Sequence, residues 1–183
     1  MTHETRARLA GKVAIITGGG GAMGGAQARL FAAEGSAVTV ADNRLDAAEE
    51  VAAEIRKAGG KAIAFEIDVR SADSWAEIVA KTESEFGPVS LLCNNAGANF
   101  RVSFEEQTEE QFRLIMEVGL NGAFLGIQAV VPSMRKAGVG AILNMGSLAS
   151  IRPGGGSPAY AAQKMAMRSH LHARDGGRSR RFH

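Results

Sequence analysis

Short apolar runs alternate with amphipathic stretches along this chain. Lys12-Val13-Ala14-Ile15-Ile16-Thr17 reads as a buried strand. Residues 22–34 read as a helix ended by Gly35. Ala37-Val38-Thr39-Val40-Ala41 is a second strand, and residues 45–58 form a helix closed by Gly59-Gly60. Ala62–Ile67 is a third strand. Ser71 or Ser74 can cap a helix that runs through Phe86 and stops before Gly87-Pro88. Val89–Cys93 is a fourth strand. Thr108 and Gln111 form a capping box that opens a long helix to about Lys136. Ala141–Met145 is a fifth strand, and Pro158 opens a last helix. This βαβα rhythm predicts an α/β fold, a parallel sheet with helices on both faces. The 183 residues fit one domain, with no solenoid-length repeat and no linker.

Composition and charge add four constraints. Of 23 glycines, six fall between Gly18 and Gly25, which marks one turn as special. Cys93 is the single cysteine, so no internal disulfide forms and a reducing, cytoplasmic setting is expected. No apolar run approaches the ~20 residues that span a bilayer, and Met1–Arg8 lacks the apolar stretch of a secretory signal. No membrane association is expected, and the start reads as a short disordered lead-in. Net charge is +2, but residues 169–183 carry Arg174, Arg178, Arg180 and Arg181 against Asp175 alone. The remaining 168 residues sum to −1. The basic end reads as a disordered tail rather than a nucleic-acid binding arm. Its three histidines have no zinc-site spacing, so no metal is expected.

The candidate chemistry begins with Tyr160 and Lys164. They stand four apart, and residues four apart share a helix face. A free phenol titrates near ~10 and is a poor base at neutral pH. A nearby cation favours its ionised form. Ser147, thirteen positions before Tyr160, can hold a substrate oxygen against that phenol. Thr17-Gly18-Gly19-Gly20-Gly21-Ala22-Met23-Gly24 lies between the first strand and the first helix, where a pyrophosphate can approach the backbone. Asp42 ends the second strand, eighteen residues after Gly24. A carboxylate there can accept from ribose hydroxyls and would repel a 2′-phosphate, so NAD is favoured over NADP despite nearby Arg44. Asn94-Asn95-Ala96-Gly97 follows the fourth strand and lets a ligand approach the backbone. Asp68-Val69 ends the third strand and can border an adenine.

Together these residues resemble the short-chain dehydrogenase/reductase family over roughly residues 10–168. The Thr17–Gly24 turn, Asn94–Gly97, Ser147 and the Tyr160/Lys164 pair stand in family order and at family spacing. The resemblance implies a Rossmann-type doubly wound sheet of five strands here, in the order 3-2-1-4-5. It implies that Tyr160 is the general acid/base, that Lys164 lowers the phenol's pKa and binds the nicotinamide ribose, and that Ser147 orients the substrate oxygen. The reaction implied is hydride transfer between NAD(H) and a small secondary alcohol or ketone, in a homo-oligomer built on the last helix and residues 108–136.

Two departures qualify that implication. Family members usually carry an asparagine where this chain reads Val118-Gly119-Leu120-Asn121-Gly122-Ala123-Phe124, and Gly119 occupies the position. On an α-helix Asn121 lies roughly 200° round and should not substitute. In the family that asparagine supports a water relay to the lysine, so restoring it at 119 is expected to raise turnover. The alternative is that Gly119, Gly122 and Gly126 form a close-packing stripe. After about Arg168 the sequence departs from the family pattern, with no sixth strand or later family segments. Residues 1–168 are therefore expected to form an incomplete dinucleotide-binding domain with an uncovered fifth strand and scarce soluble monomer. The alternative function is a catalytically impaired remnant that at most binds a dinucleotide.

Overall fold

The computed structural model describes residues 7–153 and 156–170. The lead-in Met1–Arg6 and most of the basic tail lie outside the described residues. The strands are β1 (Val13–Thr17), β2 (Ala37–Asp42), β3 (Lys61–Glu66), β4 (Leu91–Asn94) and β5 (Ala141–Asn144). All pairings are parallel and the order is β3-β2-β1-β4-β5, as expected. Ile15 is paired with Thr39 on one side and Leu92 on the other, so β1 is central and buried along its whole length.

Period-two alternation splits the core between the two sheet faces. Ala14 and Ile16 pack with Ala28, Val51 and Ile55, from α1 (Ala22–Ala33) and α2 (Leu45–Lys57). Ile15 and Leu92 pack with Trp75 and Ile78 of α3 (Ala72–Phe86). Val130 and Met134 of α5 (Gly122–Ala137) join that second cluster. Each fully buried Ile, Leu, Val or Met among these contributes about 1.5–3 kcal/mol.

Local signals set the ends. Gly35 follows α1 with φ +93°. Ser71, not Ser74, caps α3, accepting from Ser74 N. The strand expected at Val89–Cys93 begins two residues later. Val89 N donates to the Ser133 hydroxyl at 2.8 Å instead of to a neighbouring strand.

The helix expected from Thr108 to Lys136 is present with its capping box, but it is not uniform. α4 (Glu109–Met116) passes through a π-turn, Glu117–Asn121, into α5. The combined helix, Glu109–Ala137, is long and apolar enough to cross a membrane by length and composition. Its apolar positions are interrupted by Asn121 and Gln128, and part of its apolar surface lies in the core against Trp75 and the sheet. The last helix, α6 (Pro158–His170), packs on α4, on the π-turn and on the 3₁₀ turn Leu148–Ser150.

Candidate active site

The C-terminal ends of β1, β2 and β4 converge on the glycine-rich turn. Thr17 ends β1 fully buried. Its hydroxyl donates to Cys93 O at 3.3 Å and accepts from the backbone N–H groups of Asn95 and Ala96, each at 3.1 Å. Asn95 closes the clamp, its Nδ2 donating to Thr17 O at 3.1 Å and Gly18 O at 3.3 Å. Gly18 has φ +64°, and a Cβ there would meet Asn95 Nδ2 at 2.9 Å. A Cβ on Gly24 would fall 2.2 Å from Gly18 O. Only glycine fits at 24, so the first turn of α1 is held hard against the strand end.

Gly21 is the N-cap of α1 and supplies no side-chain cap; the first turn, with Ala22, Met23 and Gly24, holds no acidic residue. This leaves a positive helix end open to an anion. Asp42 at the end of β2 is buried. Its Oδ2 accepts from Gly20 N at 3.0 Å and its Oδ1 from Arg44 N at 3.1 Å. The Arg44 guanidinium sits 3.7 Å from the same carboxylate and is largely exposed. Gly97 faces open space.

Asp68 and Val69 divide. The Asp68 carboxylate is gripped by Arg70, with contacts of 2.9 and 2.7 Å, which holds its pKa below the ordinary carboxylate value. Val69 is buried, its carbonyl accepting from Trp75 Nε1 at 2.9 Å.

α6 brings Tyr160 and Lys164 to one face, with Nζ 5.6 Å from the ring centroid. Lys164 is 5% exposed and donates to Met145 O at 2.7 Å. Burial pushes its pKa down. Ser147 begins the 3₁₀ turn that packs on α6; its Oγ accepts from Ala149 N at 3.2 Å. Tyr160 lines an open cavity of about 480 Å³, half polar and half apolar, with Asn99, Arg101, Val102, Glu106 and Ala149. Neither Asn99 nor Arg101 carried a sequence signal beyond following Asn94–Gly97.

The chain matches the short chain dehydrogenase family over residues 12–174, slightly beyond the Arg168 limit expected from its motifs. It belongs to the short-chain dehydrogenase family. A 2,5-dichloro-2,5-cyclohexadiene-1,4-diol dehydrogenase of Sphingobium indicum is 42% identical over 161 residues, 88% of this chain and 64% of the relative. A trans-4-hydroxycyclohexanecarboxylate dehydrogenase of Sinomonas cyclohexanicum is 37% identical over 163 residues, 86% of this chain and 62% of the relative. A cyclopentanol dehydrogenase of Comamonas testosteroni is 34% identical over 161 residues, 88% and 64% of the two chains. The chain thus spans less than two thirds of the length of these relatives.

The glycine stripe of the long helix is a packing device. A Cβ on Gly122 would meet Val69 at 2.9 Å, and one on Gly126 would meet the Trp75 indole at 2.7 Å. A Cβ on Gly119 would fall 2.6 Å from Gln163 Cδ. The site expected to welcome an asparagine is therefore already filled from α6. Asn121 is exposed on the π-turn, so it does not replace that asparagine either.

Proposed function

We propose that this chain carries the cofactor cradle and acid–base pair of an NAD-dependent dehydrogenase acting on secondary alcohols of small carbocycles. The observation that carries this reading is the Tyr160–Lys164 pair on one face of α6, with Tyr160 at the wall of an open cavity of mixed lining.

The glycine cradle, where a Cβ at Gly18 or Gly24 would collide with backbone or Asn95, fits the close approach of a dinucleotide pyrophosphate. Thr17, Gly18, Gly20, Gly21, Ala22, Met23 and Gly24 would hold it. Asp42 would face the adenosine ribose, and Asn95, Ala96 and Gly97 the nicotinamide side. When bound, the nicotinamide supplies the hydride acceptor or donor. Tyr160 then takes the hydroxyl proton in oxidation, or returns it in reduction. The Lys164 ammonium stabilises negative charge on the phenol oxygen and reaches toward the ribose. The Ser147 hydroxyl would donate a hydrogen bond to the substrate oxygen while its Oγ still accepts from Ala149 N.

The three relatives' names share a hydroxyl on a five- or six-membered carbocycle, which supports that substrate class. Exposed Phe112 and Phe124 on α4 and α5 support a homo-oligomer through that face. Burial pushes the Cys93 thiol up to about 11, so it stays protonated and takes no part. The test is oxidation of cyclohexanol, cyclopentanol and a cyclohexadienediol with NAD, followed by cofactor absorbance. Absence of cofactor reduction with every alcohol would remove the reading.

A further inference from the structure

Between Tyr160 and Lys164 lies a buried polar group that the chemistry above does not use. Gln163 is 1% exposed, and its Nε2 has no hydrogen-bond partner among the described residues. Its amide rests where a side chain at 119 would stand: a Cβ on Gly119 falls 2.6 Å from Gln163 Cδ and 2.8 Å from Nε2. The missing side chain and the buried amide are two halves of one arrangement.

A buried donor left unpaired is costly, and native proteins pair nearly all of them through protein or ordered water. The notch at Gly119 lies inside the π-turn, Glu117–Asn121. There the backbone turn is wider than in the flanking α-helix. A second amide points to the same seam. Gln107 Oε1 accepts from Ala159 N at 3.0 Å, while its buried Nε2 also has no partner among the described residues. Ala159 stands one helical turn before Gln163 on α6. The seam between α6 and the α4–π-turn segment thus holds two amide donors that require acceptors.

We propose that Gln163 is a positioning residue for Tyr160 and Lys164, its amide seated in the Gly119 notch and fixing the rotation of α6 against the π-turn. That rotation sets Lys164 Nζ on Met145 O and Tyr160 on the cavity wall. The catalytic consequence rests on the dehydrogenase reading; the seating of the amide does not.

Two measurements on the full chain test it. In ¹H–¹⁵N spectra, with Gln163→Met identifying the resonance, the Gln163 amide protons should exchange with solvent at least about tenfold more slowly than those of exposed Gln128. Exchange as fast as Gln128 overturns the seating. In turnover, folded Gln163→Met should lose about tenfold in kcat with KM for the alcohol nearly unchanged, because alignment rather than substrate contact is lost. Gly119→Asn combined with Gln163→Ser moves the amide across the seam and should restore most of kcat relative to Gln163→Ser alone. Full kcat in Gln163→Met, or no gain from the added Gly119→Asn, overturns the positioning role. A wild-type chain that oxidises no alcohol would count against the dehydrogenase reading, and amide exchange would still decide the seating.

Discussion

Asp42 and Gly20 are joined by a hydrogen bond of 3.0 Å, from the Gly20 N–H to Oδ2 of a buried carboxylate. The residue that would discriminate between cofactors therefore also braces the turn that would hold them. The first role is read from the sequence at the end of the second strand. The second follows from β1 and β2 lying side by side in register, which brings the end of β2 under the glycine turn.

Cofactor choice is the first prediction. The unaltered chain should bind NADH more tightly than NADPH by calorimetry. Asp42→Ala should narrow the gap, since exposed Arg44 then faces a 2′-phosphate without a competing carboxylate. It should also lower stability by about 1–3 kcal/mol, because Gly20 N loses its acceptor. Tighter NADPH binding by the unaltered chain would refute the assignment.

What the sequence made legible was whatever depends on local pattern. The apolar runs of β1 and β2, the Ser71 cap and the Thr108–Gln111 box are local, and each stands where expected. The strand order came with the family resemblance. What escaped depends on contacts far apart in sequence. The start of β4 shifts because Val89 finds the Ser133 hydroxyl, 44 residues away. The π-turn left no mark in apolar periodicity, which reads straight through it. Gln163 carries no signal of its own in the sequence, and only the fold sets it against Gly119. A helical glycine opposite a long polar residue is a sign of such a pair, but only after the two helices are known to touch.

The acid–base assignment gives the second prediction. Tyr160→Phe removes one oxygen and keeps the ring that packs near Lys164. Turnover of a cyclic alcohol should fall by at least about 100-fold, consistent with loss of a positioned acid–base group. NAD affinity should stay within a few-fold. An undiminished rate would assign the proton transfer to another residue.

Lys164 supplies a pH signature. Burial lowers its folded-state pKa below the ordinary 10.5, so the unfolded chain holds that proton more tightly than the folded one. Below both values the lysine is charged in both states, and its desolvation cost is fully present. As pH rises from the lowered value toward 10.5, the folded state sheds the proton first and stability rises. Wild type should therefore gain stability relative to Lys164→Met across that window, with other groups cancelling in the comparison. Thermal melts of both proteins over alkaline pH measure the difference. A constant difference would mean that Lys164 titrates alike folded and unfolded.

The Gly119–Gln163 pair makes the last prediction, independent of any activity. With Gln163 present, Gly119→Ala forces a methyl against a buried amide and should destabilise by about 1–3 kcal/mol. With Gln163→Ala the notch is empty, and the same change should become neutral or stabilising by up to about 1 kcal/mol, the helical preference for alanine over glycine. The sign change is the point, because helix propensity alone stabilises in both backgrounds. Trp75, the single tryptophan, is buried in the second core cluster and reports unfolding by its fluorescence in a urea titration. Gly119 has no left-handed φ, so alanine brings no backbone strain to confuse the reading. Equal effects of Gly119→Ala in the two backgrounds would show that the residues are not energetically coupled.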